Sequence, residues 1–284
     1  MIKTIERIEE VMDFAWELSQ NDLYASYPRT DLIVEFKEEL EKAINLENHN
    51  IIAYYHQNIL QGVCFYFWIN NEKYVQTTGF LISANYDQVA DEFICYINNQ
   101  LPGYELYIGV PYTNINANYY FKKRNIVCIE DSIVTRIRNL KHHKSKGYDY
   151  IGKINISNFE QYIAFHDKHA IPAEMYFNST NLRKVIDNFR IFVFRHDEEI
   201  HGSIFVSANK NISDVVGLFI DEEYKNKGIE SILINEMLTH LYNEFGALKE
   251  ILYFIEQHAT DELNIALTAG FEVKERYILY KCIL

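Results

Sequence analysis

Apolar residues recur at helical spacing in two early stretches, as Ile8, Val11, Met12 and Ala15 within 5–19 and as Leu32, Phe36, Leu40 and Ala43 within 31–46. This period predicts two amphipathic helices. The apolar runs 50–55 and 59–68, parted by a polar turn at 56–58, predict an antiparallel hairpin, which 74–82 extends after a turn at 70–73. A helix over 87–98, a strand over 105–110, a helix over 114–123 and a strand over 126–137 complete the first half. The stretch 139–149, NLKHHKSKGYD, is basic and poor in apolar residues, and it reads as an exposed linker. A second series follows: strand 150–154, helix 156–168, short helix 179–186, hairpin 191–206, strand 215–220, helix 229–245, strand 250–255, helix 261–269 and closing strands over 271–284.

The second series repeats the first. IIAYYHQNILQGVCFYF, from Ile51, lies over IFVFRHDEEIHGSIFV, from Ile191, with Gly62 over Gly202. GFLIS from Gly79 lies over GLFID from Gly217, and the segment reaching Asn125 lies over the one reaching Gly270. Two similar α/β domains in tandem are therefore expected, over 1–140 and 150–284, joined by a linker at 141–149.

Composition narrows the class of function. Hydrophobic residues at 48 % and charged residues at 24 % are those of an ordinary folded protein. A formal net charge of −13 argues against a nucleic acid as main partner, since that affinity comes from Lys and Arg neutralising phosphates. Cys64, Cys95, Cys128 and Cys282 form no CxxC pair and read as reduced, mostly buried thiols. Acidic residues interrupt the N-terminal stretch where a signal core would be apolar, and no run approaches a membrane span. A cytoplasmic protein without membrane or nucleic-acid partners is the expectation, and its oligomeric state is left open.

The most informative stretch is 215–233, VVGLFIDEEYKNKGIESIL. A strand ends at Ile220, a charged turn follows, and Gly228 stands where an amphipathic helix begins. The first N–H groups of a helix have no partner within it, and the helix dipole puts partial positive charge there, so this is an anion site in outline.

This half resembles the GNAT superfamily of N-acyltransferases, in which a Gln/Arg-x-x-Gly-x-Gly/Ala turn leads from a strand into the helix that holds the pyrophosphate of acetyl-CoA. The corresponding residues here are Lys225, Asn226, Lys227, Gly228, Ile229 and Glu230, and the resemblance covers 147–284. It implies an α/β (α+β) chain of two tandem GNAT-like domains, each a mixed, mostly antiparallel sheet flanked by helices. It also implies acetyl-CoA as co-substrate, a small amine or peptide amine as acceptor, and Leu218, Phe219, Ile220 and Ser231 as further cofactor contacts. Two residues depart from the family pattern. Lys225 replaces Arg or Gln, and Glu230 puts a carboxylate where the family has Gly or Ala. The first half has neither glycine nor Lys or Arg in its matching segment, ISANYDQVADEF from Ile82, so acyl-CoA is expected only in the second. A non-catalytic descendant that binds CoA or a partner is the alternative.

Acyl transfer to an amine needs a held thioester, a deprotonated amine and a stabilised oxyanion. Glu256, at the end of LYFIE, is the expected base, since a carboxylate beside an apolar run has a raised pKa; Asp214 and His258 stand in reserve. The family's general acid, a tyrosine four residues before the late glycine, is Ala266 here and Phe121 in the first half. Tyr280 or Tyr277 on the closing strands is the expected substitute. HDEEIH, 196–201, lacks metal-ligand spacing and reads as a solvated turn, as does the pair His142 and His143. The aromatic stretches LYASYPRTD from Leu23 and HAIPAEMYFNST from His169 fall where the family lines its acceptor site, with Met175, Tyr176 and Phe177 as candidate pocket residues.

Overall fold

The computed structural model describes residues 1–142, 147–170, 175–209 and 212–284, so His143 and part of the expected linker and acceptor-lining stretch lie outside the described residues. The chain forms two compact units, one made of Met1–Asp131 with Arg276–Leu284 and the other of Ser132–Glu275.

Unit 1 runs β1 (Ile2–Thr4), α1 (Met12–Ser19), α2 (Ile33–Asn45), β2 (His49–His56), β3 (Ile59–Ile69), β4 (Tyr74–Ile82), α3 (Tyr86–Gln100), β5 (Glu105–Pro111) and α4 (Ile115–Lys123). β1 has no strand-length apolar run and was not expected; it is held by antiparallel pairing of Ile2, Lys3 and Thr4 with β2. The helix expected over 5–19 begins only at Met12, after a short 3₁₀ turn. β2, β3 and β4 pair antiparallel, and β4 pairs parallel with β5. One face packs on α1 and α2 through Val63, Phe65 and Leu81, the other on α3 and α4 through Cys64, Phe80 and Ile108.

β6 (Val127–Arg138) begins in unit 1 and enters unit 2 at Ser132. Unit 2 continues with β7 (Ile151–Ile154), α5 (Glu160–His169), α6 (Ser179–Lys184), β8 (Phe189–His196), β9 (Glu199–Ala208), β10 (Ile212–Ile220), α7 (Ile229–Phe245), β11 (Glu250–Glu256) and α8 (Thr260–Thr268). β7 to β10 are antiparallel neighbours, β10 pairs parallel with β11, and β11 pairs antiparallel with the 132–138 part of β6. Here too α5 and α6 cover one face and α7 and α8 the other.

The last strand, β12 (Glu272–Ile283), is single where two were expected, and from Arg276 it belongs to unit 1, antiparallel to β5. The compact units therefore depart from a division at 141–149. Each half donates its final strand to the sheet that the other half began, a pairing that depends on register and leaves no trace in local apolar periodicity.

The strand pairings of the two units match in detail. β2–β3 shifts register at Tyr54/Tyr55 and β8–β9 at Phe194/Arg195. β4 bulges between Thr77 and Gly79, and β10 between Val215 and Gly217. Gly79 lies under Phe65, whose ring a Cβ would approach to 2.0 Å, and Gly217 lies under Phe205 at 2.4 Å. In both units the parallel pair parts early. β4 and β5 pair only from Tyr74/Glu105 to Gln76/Tyr107, and β10 and β11 only from Ile212/Glu250 to Val215/Tyr253.

Candidate active site

The parting of β10 from β11 leaves both strands' outer halves, 216–220 and 254–256, without each other's hydrogen bonds. The bulge at Val216 restarts the β10 register with Gly217 against Phe205 and Leu218 against Ile204. Phe219 turns toward α5, where its ring stacks on His169 at 5.4 Å, while Ile220 packs in the core beneath α7.

Beyond Ile220 a 3₁₀ turn over Glu222–Tyr224 leads to α7. Asn226 and Gly228 take left-handed φ values of 60° and 82°, and Gly228 is the N-cap. No side chain caps the helix, and a Cβ on Gly228 would meet nothing within 4 Å. The first intrahelical bond runs from Ile232 N–H to Gly228 O, so the N–H groups of Ile229, Glu230 and Ser231 precede the ladder. The backbone is that of an anion cradle.

The side chains modify it. Glu230 is buried, with Oε1 accepting the Asn226 N–H at 3.2 Å and Oε2 without a hydrogen-bond partner. Lys225 pairs with Glu222 at 2.7 Å, and the Lys227 ammonium lies 4.9 Å above the Tyr224 ring. The cavity here, about 250 Å3, is lined by Leu218, Ile220, Lys225, Glu230, Asp261 and Glu262 among others. Burial pushes the Glu262 carboxyl up, against the hydrogen bond it accepts from Tyr253. In unit 1 the corresponding helix α3 follows β4 after three residues, and its N-cap Asn85 keeps the left-handed conformation at φ 52°. There is no glycine there, yet the left-handed backbone is the same, since Asn tolerates this region.

The two expected catalytic residues fall in different units, Glu256 in unit 2 and Tyr280 in unit 1. Glu256 ends β11 with a side chain 69 % exposed and pairs with His258 at 3.0 Å, so it stands in solvent rather than against an apolar run. Asp214 is the more buried carboxyl, and burial pushes it up. Tyr280 lies in unit 1, because its strand pairs with β5. Its ring stacks on Phe121 at 4.5 Å, its hydroxyl donates to Asn118 at 2.8 Å, and burial pushes it up to about 12. Tyr277 is in the same unit, 4.5 Å from Tyr27. Ala266 is fully buried. Met175 and Phe177 pack against the α5–α6 core, whereas Tyr176 is exposed.

Sequence reading missed the cluster that braces the cradle's first residue. Asp221 accepts Lys168 Nζ at 2.7 Å, His169 Nε2 at 3.0 Å and His201 Nδ1 at 3.0 Å. Burial raises its pKa, but these three donors outweigh it and hold the carboxyl at about 2. His201 stacks on Tyr224 at 4.5 Å, whose hydroxyl meets His196 at 3.0 Å, so the HDEEIH turn packs on the cradle. The aspartate after a strand end was a visible signal; its partners, from two other elements, were not. Among the described residues no group of His, Cys, Asp and Glu is arranged to hold a metal, and no helix is long and apolar enough to cross a membrane. The four cysteines are free, but only Cys64 is buried, while Cys95 and Cys128 are exposed.

Comparison with solved structures places this geometry. A tandem GNAT protein from the clavulanic acid biosynthesis pathway, solved without AcCoA, matches 100 % of this chain and 98 % of its own at TM-score 0.61 and 8 % identity. The chain has the tandem GNAT fold. A GCN5-related N-acetyltransferase from Sphaerobacter thermophilus matches 99 % of this chain and 95 % of its own at TM-score 0.63 and 12 % identity. A GNAT-family acetyltransferase from Colwellia psychrerythraea matches 99 % of each at 0.52 and 14 %. No family model and no curated protein matches the sequence. At these identities the likeness to GNAT structures is one of fold.

Proposed function

We propose that unit 2 is an N-acyltransferase that moves an acetyl group from acetyl-CoA, or an acyl group from a related acyl-CoA, to a primary amine of a small molecule or peptide. The observation that carries this reading is the open parallel pair β10–β11 ending in a left-handed, uncapped helix start at Gly228. Acetyl-CoA supplies the activated thioester. The residues present fit its pyrophosphate through the backbone: Gly228 leaves room, and the N–H groups of Ile229, Glu230 and Ser231 precede the helix ladder. Glu230 is the obstacle, held by one bond of 3.2 Å and carrying an orphaned oxygen. Such a buried acceptor is costly to keep, so moving it outward is cheap and frees the Asn226 N–H.

In this reading Leu218, Phe219 and Ile220 border the donor slot, and Lys225 and Lys227 add positive charge at its mouth. The N–H of Leu218, just past the bulge, serves the developing oxyanion. Glu256, paired with His258 at the exit of β11, accepts the amine proton and passes it to solvent. A second reading, a non-catalytic protein that keeps the fold and binds CoA or a partner, is favoured by Ala266 at the position of the family's tyrosine. Titration calorimetry with acetyl-CoA on the whole chain and on Gly228→Asp, followed by thiol release over an amine panel, separates them. Equal binding by both proteins sinks the site; binding without thiol release favours the second reading.

A further inference from the structure

The gap between β4 and β5 in unit 1 is the counterpart of the one between β10 and β11, and the registers give the equivalences. Tyr74 faces Glu105 as Ile212 faces Glu250, and the bulges at Gly79 and Gly217 correspond. Phe80 therefore corresponds to Leu218, and Gly109 to Phe254.

In unit 1 this gap is bridged by the chain itself. The Phe80 N–H donates to Ser26 Oγ at 2.7 Å, from the β4 side. On the β5 side the Tyr27 N–H donates to Gly109 O at 2.8 Å. Asn114, fully buried, donates its side-chain amide to Ala25 O at 2.9 Å while its own oxygen caps α4. Ala25 and Ser26 are 0 % and 3 % exposed. A Cβ at Gly109 would lie 3.0 Å from Tyr27 Cβ and 2.7 Å from the Tyr277 ring, so the missing side chain makes the seat. Unit 2 has Phe254 and Ala259 where unit 1 has this glycine and this asparagine.

We infer that unit 1 carries a built-in occupant: its own segment 25–27 fills the gap between β4 and β5 and closes it to any extended, amide-bearing ligand. The segment satisfies one donor and one acceptor on the facing strand edges, which is what such a ligand would have to do. A ligand seeking this gap must expel a buried, triply hydrogen-bonded stretch, so the occupant wins. The turn before α3, which has neither glycine nor Lys or Arg, offers no cradle that would favour such a ligand.

Residue-resolved amide exchange on the full chain and on Ser26→Ala tests this independently of the reading of unit 2. The Phe80 amide is expected to exchange about tenfold faster in Ser26→Ala, the loss of one hydrogen bond. Equal, fast exchange in both proteins overturns the occupant. Acetyl-CoA titration of the unmodified chain supplies a second arm. No more than one equivalent per chain is expected, and two equivalents overturn the inference. No binding at all, with Phe80 protected, supports it and counts only against the acyl-CoA reading of unit 2.

Discussion

Glu230 Oε1 accepts the Asn226 N–H at 3.2 Å and thereby places a carboxylate of the chain inside its own anion cradle. The helix dipole steadies it by roughly 0.3–1 kcal/mol, while the buried, unpartnered Oε2 works against it. Replacing Glu230 with Ala removes the competitor and its charge. Acetyl-CoA affinity is expected to rise about tenfold by calorimetry, since one charge-assisted contact is exchanged. Unchanged affinity would mean that the carboxylate never meets the ligand.

Gly228 tests the backbone half of the same cradle. At φ 82° an L-residue is strained by about 1–2 kcal/mol. Since nothing crowds its Cβ position, Gly228→Ala should cost stability in that range and weaken acetyl-CoA modestly, measured by urea unfolding and calorimetry. A loss well above it would reveal packing that the open surroundings do not contain.

Tyr280→Phe separates a core role from a catalytic one. Removing the hydroxyl breaks the 2.8 Å bond to Asn118 and should cost about 1 kcal/mol of stability, with thiol release unchanged. A large fall in turnover at unchanged stability would return Tyr280 to the chemistry.

His166 sets a pH dependence. It is fully buried, donating from Nε2 to Phe177 O at 2.7 Å and accepting the Tyr162 hydroxyl at Nδ1, with Asp167 and His169 as charged or titratable neighbours. Burial lowers its pKa, so the unfolded chain binds the proton more readily. The stability it contributes is complete above the ordinary imidazole pKa of about 6.5 and is lost as pH falls below it, at up to about 1.4 kcal/mol per pH unit. His166→Phe should flatten urea stability between pH 7 and 5. The Asp221 carboxyl, held at about 2, adds a separate loss as pH drops below its ordinary value near 3.9.

The paired glycines test the likeness of the two units. Gly79→Ala and Gly217→Ala each force a methyl into the facing phenylalanine ring, and each should destabilise by about 1–3 kcal/mol. A neutral Gly217→Ala would mean that Phe205 can move aside.

Much of this was legible because apolar spacing and turn residues are local. The repeated hairpins, the Gly228 turn and the absence of an acid at Ala266 all follow from residues near one another in sequence. What escaped depends on partners far away. β1 exists only through its pairing with β2, the Asp221 brace draws on α5 and β9, and Tyr280 changed units because register assigned its strand to β5. Segment 25–27 carries the composition of an acceptor-lining stretch, and nothing local to it shows that Ser26 Oγ accepts the N–H of Phe80, 54 residues away.

The exchange of final strands has a consequence for the order in which the chain matures. Unit 2 is continuous, 132–275, whereas unit 1 needs 276–284. On the ribosome the later-encoded unit is therefore the first to have all its parts. The earlier one must wait, its β5 edge unpaired, until synthesis has passed through the whole of its neighbour.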